Sequence, residues 1–108
     1  MKTLTEYFSS KNTIFSSFEE ISPKELKSRK KLNIFCALDT NKNYYAIFRI
    51  DSKSRFIQKN AKDLIELLNT LISYKEHNFK YKYLFISSDI CSKSMKLLEE
   101  NNWKVVKK

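Results

Sequence analysis

Residues 32–39, Leu-Asn-Ile-Phe-Cys-Ala-Leu-Asp, are apolar at consecutive positions, and Leu84-Phe85-Ile86 repeat the pattern within residues 81–87. A strand facing water on one side alternates polar and apolar residues. A strand that does not alternate is covered on both faces. Two such strands in one chain, separated by a long amphipathic helix, call for a sheet with layers on both sides. The chain has 108 residues, 42% of them hydrophobic and 14% aromatic, which suits one small domain with a real core.

The remaining elements follow from periodicity and punctuation. Thr40-Asn41-Lys42-Asn43 reads as a turn, and residues 44–50, Tyr-Tyr-Ala-Ile-Phe-Arg-Ile, as a second strand. Asp51-Ser52 turns again, and Lys53 to Gln58 reads as a short polar strand. Asn60 caps a long helix over about 61–75, with Leu64, Ile65, Leu68, Leu71 and Ile72 on one face. A fourth strand covers 81–87, and a helix at about 92–100 carries Cys91, Met95 and Leu98 on one stripe. Asn101-Asn102 is a left-handed stop, and Trp103 to Val106 form the last strand. The first 31 residues read as a helical arm. Leu4, Tyr7 and Phe8 share one helical face, and Ile14, Phe15 and Phe18 another. Ser22-Pro23-Lys24-Glu25 opens a short helix ending near Arg29.

The expectation is therefore an N-terminal helical arm, 1–31, and an α/β domain, 32–108, in the order β-β-β-α-β-α-β. Strands that alternate with helices demand parallel crossovers, whereas the first three form a meander. Placing the most apolar strands centrally and the most polar at the edges gives one mixed five-stranded sheet in the order 3-2-1-4-5.

Composition narrows the function. Lys and Arg total 21 against 12 Asp and Glu, a net charge of +9, which favours an anionic partner. Nucleic acid, RNA or DNA, is the expected ligand. There is no glycine, so glycine-rich phosphate loops and dinucleotide fingerprints are excluded. Cys36 and Cys91 lack metal-binding spacing, and with His77 alone they make no Cys/His zinc site. No apolar run reaches membrane-spanning length, and no helix pairs a basic face with a large exposed apolar one. A cytoplasmic setting away from membranes is expected. The cations assigned to phosphates are Lys27, Arg29, Lys30 and Lys31 before the first core strand, and Arg49, Lys53 and Arg55 around the second turn. Lys80-Tyr81-Lys82-Tyr83 interleaves cations and aromatics, as single-strand binders do and as ordinary strand alternation does.

The element order and sheet order over residues 32–107 resemble the ribonuclease H-like fold without its last helix. In that family one aspartate ends the first core strand and another the fourth. Here Asp39 ends Cys-Ala-Leu-Asp and Asp89 ends Leu-Phe-Ile-Ser-Ser-Asp. The resemblance implies that both reach one sheet edge and share Mg²⁺ or Mn²⁺, which activates water for phosphodiester hydrolysis. It also implies a glutamate on the first helix. Glu66 is the counterpart, yet helical phase turns it away from the Leu64/Leu68/Leu71 face, and Asp63 is also off that face. The acid of the last helix has no counterpart. The implied function is a nucleic-acid-binding domain, a metal-dependent nuclease relative with a degenerate catalytic set.

Two other readings compete. Asp51-Ser52-Lys53 fits the D-x-K half of a restriction-endonuclease-like site. Such a site needs an acid on the preceding antiparallel strand, where Leu32 or Asn33 falls. Alternatively, the chain is a non-catalytic interaction module that docks a protein partner, or a second copy, through Tyr7, Phe8, Phe15 and Phe18 of the arm. Asp39 and Asp89 also have a plain reading as turn and cap residues.

Overall fold

In a computed structural model, residues 8, 14–26, 32–51 and 55–107 are described. They form β1 (Phe15–Ile21), a 3₁₀ turn (Pro23–Leu26), β2 (Asn33–Asp39), β3 (Tyr44–Ile50), α1 (Gln58–Lys75), β4 (Tyr81–Ile86), α2 (Ser92–Glu100) and β5 (Trp103–Lys107). The five strands make a single mixed sheet, and the order β-β-β-α-β-α-β is the expected one.

Two expectations are corrected. The sheet order is β1-β2-β3-β4-β5, not 3-2-1-4-5. The first strand is Phe15–Ile21, read above as part of a helical arm, and the polar strand at 53–58 is absent from the described residues. Phe56 makes only an isolated bridge to Ile90, and Gln58 already belongs to α1. The cause lies in β1. It pairs antiparallel with β2, Ile21 opposite Ile34 and Phe18 opposite Ala37, so the outer edge of β2 is taken. The segment 81–86 then finds its free edge on β3, and pairs with it in parallel, Phe48 opposite Leu84. Most of β1 is exposed on both faces, so it carries no burial signal in its composition. Leu4 and Tyr7, assigned to the same arm, lie outside the described residues.

Both faces of the sheet are covered, as the unbroken apolar runs require. Ile34, Cys36, Ala46, Phe48, Leu84 and Ile86 pack under α1 and α2, against Leu64, Leu68, Leu71 and Leu98. The opposite face gathers Phe35, Ala37, Tyr45, Ile47, Tyr83 and Phe85 around Phe8. Phe8 meets Phe15, Tyr45 and Tyr83 edge-on, with centroids 5.0, 5.9 and 5.0 Å away. At 2% exposure it belongs to the core of this chain.

Local signals explain the element ends. The Asn60 carboxamide oxygen accepts from the Ile57 N–H at 3.0 Å, so this residue caps α1 from inside its first turn rather than ahead of it. Glu25 closes the turn after Ser22 by accepting the Ser22 N–H at 2.8 Å. In a chain without glycine, left-handed backbone falls on other residues: Lys42, Glu76 and Asn102 have φ of 65°, 60° and 66°. Glu76 ends α1 where glycine is the preferred residue. Relief of that cost should make Glu76→Gly more stable by up to about 1 kcal/mol in urea unfolding, because a Cβ is disfavoured at this φ. No gain in midpoint would show that the Glu76 side chain earns its place by contacts.

Candidate functional site at the carboxyl edge of the sheet

β3, β4 and β5 run in parallel, so their carboxyl ends share one edge, the place where open α/β sheets hold ligands. β2 is antiparallel to β3, so its amino end reaches the same edge. A row of polar side chains crosses the sheet there, on the face opposite the helices. The Asn33 carboxamide donates to Glu20 Oε2 at 3.2 Å. Asn33 stands opposite Arg49, whose guanidinium lies 3.5 Å from Asp51 Oδ2. The Ser87 hydroxyl donates to Asp51 Oδ1 at 2.8 Å, and the Ser87 N–H donates to the Ile50 carbonyl.

The two predicted catalytic aspartates are not brought together. Asp39 lies at the carboxyl end of β2, level with Tyr44 and hence with the amino ends of β3 and β4. Asp89 follows β4 at the other edge, where its carbonyl accepts the Phe56 N–H. Six strand residues separate the two levels, roughly 20 Å at about 3.3 Å per residue. Glu66 is exposed on α1, as its helical phase predicts.

Asp39 has a complete set of local partners instead. Oδ1 accepts the Asn41 and Asn43 backbone N–H groups at 2.9 and 2.8 Å, and Oδ2 accepts from the Asn43 carboxamide and the Tyr45 hydroxyl. Burial alone would raise this carboxyl, but the donors from Asn43, Tyr45 and Asn41 outweigh it and hold the pKa below the usual aspartate value. Tyr45 is pushed well up, first by burial and then by the Asp39 carboxylate. Asp39 is the keystone of the β2–β3 turn.

The two aspartates expected to share Mg²⁺ or Mn²⁺ do not meet. Such ions need several oxygen ligands gathered at one point. Among the described residues, no three of His, Cys, Asp and Glu converge. In the D-x-K position, Asp51 is engaged by a guanidinium and a hydroxyl, and the facing strand offers the amide of Asn33. Of the predicted phosphate contacts, Arg49 is half-buried and Arg55 exposed at this edge, while Lys27, Arg29, Lys30, Lys31 and Lys53 lie outside the described residues.

Cys91, placed above on the Met95/Leu98 stripe, is the N-cap of α2. Its Sγ lies 2.9 Å from the Ser94 hydroxyl and accepts the Ser94 N–H at 3.4 Å. The Ser94 hydroxyl, then its amide, draw the Cys91 pKa down. Burial pushes Cys36 up to about 11. This capping role carries no sequence signal, because Ser92 or Ser94 is the residue a propensity rule would choose. His77, just past the end of α1, stacks on Tyr44 with centroids 3.9 Å apart.

Two measurements check these assignments. Asp39 has a depressed folded pKa, so its contribution to stability is present above the unfolded value and is lost as pH falls through the folded one. Asp39→Asn should lower the melting temperature at pH 7 and flatten its decline below about pH 4. An unchanged melting curve at both pH values would remove Asp39 from the turn's support. In the native state at pH 8, iodoacetamide should alkylate Cys91 well before Cys36, as read by peptide mass spectrometry. Equal rates would contradict the two environments.

No protein-family model and no curated protein matches this chain. Solved structures do. The chain is similar to EndoMS in its apo form, with a TM-score of 0.59 and 11% identity over 99% of this chain and 45% of that one. It is similar to a repair endonuclease from Pyrococcus abyssi, with a TM-score of 0.54 and 14% identity over 98% of this chain and 45% of that one. A complex of EndoMS with double-stranded DNA matches with a TM-score of 0.52 and 14% identity, over 98% and 42% of the two chains. The fold is thus one found in repair endonucleases, and the chain spans less than half the length of these neighbours.

Proposed function

We propose that this chain is a nucleic-acid-binding α/β domain, a relative of metal-dependent nucleases that contacts phosphates at the carboxyl edge without cleaving them. The observation that carries the reading is Arg49. It occupies the polar row facing Asn33 and holds the Asp51 carboxylate at 3.5 Å. A guanidinium there competes with a divalent cation for Asp51 and repels it, and it is itself a fitting partner for phosphate. The sequence adds Lys53 and the group Lys27, Arg29, Lys30 and Lys31, which lie outside the described residues. With a net charge of +9, phosphate binding is the plain use of such an edge. The neighbouring structures support it, since one of them is a complex with double-stranded DNA.

The test is fluorescence anisotropy with a labelled DNA duplex across a salt series, repeated with Mn²⁺ and gel analysis. Micromolar binding is expected, with log K falling against log salt by about 0.9 per phosphate contact. Arg49→Ala and Arg55→Ala should each reduce that slope by about 1. The labelled strand should stay intact with Mn²⁺. Cleavage lost in Asp51→Asn or Asp89→Asn would overturn the non-cleaving part of the reading. Absence of binding at low salt would overturn all of it.

A further inference from the structure

The opposite end of the sheet carries a second feature. At the amino ends of β4 and β5, on the face away from the helices, Tyr81, Tyr83 and Lys104 border an open groove of about 350 Å³ completed by Lys82, Asn102 and Trp103. The groove exists because the second core ends short of this corner. Tyr83 is packed, but Tyr81 is only half-buried and Lys104, at the outer strand, is exposed. One wall is the tight turn from α2 to β5, where Asn102 takes left-handed backbone. Lys82 fixes that wall by donating to the Asn101 carbonyl at 3.1 Å.

None of the six lining residues is acidic, and Lys80 adds a further ammonium 5.5 Å from the Tyr81 ring centroid. Tyr45 backs the Tyr81 ring at 4.7 Å and holds it in place. Fixed aromatic rings flanked by cations are the arrangement that takes unstacked bases. The volume is at the small end of ligand clefts, about 300–1,000 Å³, and suits one nucleotide. A duplex keeps its bases inside, so it has no base to offer this groove.

We propose that this corner holds a nucleotide of single-stranded nucleic acid, its base against Tyr81 and its flanking phosphates on Lys80 and Lys104. The inference rests on the nucleic-acid reading above but names a different surface, remote from the Arg49 row. The Lys80 ammonium leaves the Tyr81 ring for phosphate as the base arrives, so no cation is stranded under the base.

Anisotropy of labelled ten-residue oligothymidylate tests it, with the duplex measured in parallel. Tyr81→Ala should weaken oligothymidylate binding between about 5- and 150-fold, the range expected for loss of one stacked base. Tyr81→Phe, which keeps the ring, should bind as the wild type does. Lys104→Ala, at an exposed position, should reduce the salt slope by about 0.7 without touching the core. The same variants should bind duplex unchanged, which also reports that they are folded. If the wild type binds oligothymidylate and Tyr81→Ala and Lys104→Ala bind it equally well, the groove is excluded while the broader reading stands. If the wild type binds neither probe at low salt, the broader reading fails and takes this one with it.

Discussion

The structure depends on β3 having both of its edges and both of its faces in use. Ala46, Ile47 and Phe48 have no exposed surface, one side chain after another, so neither face can be given to solvent. One edge of β3 carries the antiparallel hairpin with β2 and the other the parallel ladder with β4. This single strand is the seam between a meander and a crossover half. Everything about the edges follows from it. The carboxyl ends of β3, β4 and β5 gather with the start of β2, and the β2–β3 turn is sent to the far side. Asp39 is therefore held in the turn, and the residues that converge at the carboxyl edge are Asn33, Arg49, Asp51 and Ser87.

How far the sequence reveals this can be judged strand by strand. Leu84, Phe85 and Ile86 announce a strand covered on both faces, and they are so covered. The helices are legible from the Leu64/Leu68/Leu71 and Met95/Leu98 spacing, and the stop after α2 from Asn101-Asn102. Phe15–Ile21 is not legible, because an edge strand with little burial leaves no alternation to read, and Phe15 and Phe18 also fit a helical stripe. That one strand decides the sheet order. Two strands buried on both faces, 33–39 and 44–50, are equally entitled to the central place by composition, and only the partner on the outer edge of β2 separates them. The expected pairing of Asp39 with Asp89 fails for the same reason. Arg49 is expected at a phosphate from its charge alone, whereas its engagement of Asp51 needs the register.

The two candidate surfaces divide the charge of the molecule in an instructive way. At the carboxyl edge, cations stand beside carboxylates, and Arg49 is partly spent on Asp51. At the amino corner, ammonium groups stand beside aromatic rings with no acid in the lining. The first arrangement suits a phosphate that competes with Asp51 for the Arg49 guanidinium. The second suits a base and its backbone together. A small sheet can hold both because its parallel half has two chemically distinct ends.

β1 has one more consequence, for the handling of this protein. It is the polar outer guard of β2, with Glu19 and Glu20 on its two faces and Lys75 clasping Glu19 at 2.6 Å. A fragment trimmed to begin at residue 32 would look complete by its apolar pattern. It would nevertheless bare a row of unpaired β2 amides beside Phe35 and Ala37, the kind of edge that recruits strands from other molecules. The acidic strand that leaves so little burial signal is what covers this edge of β2.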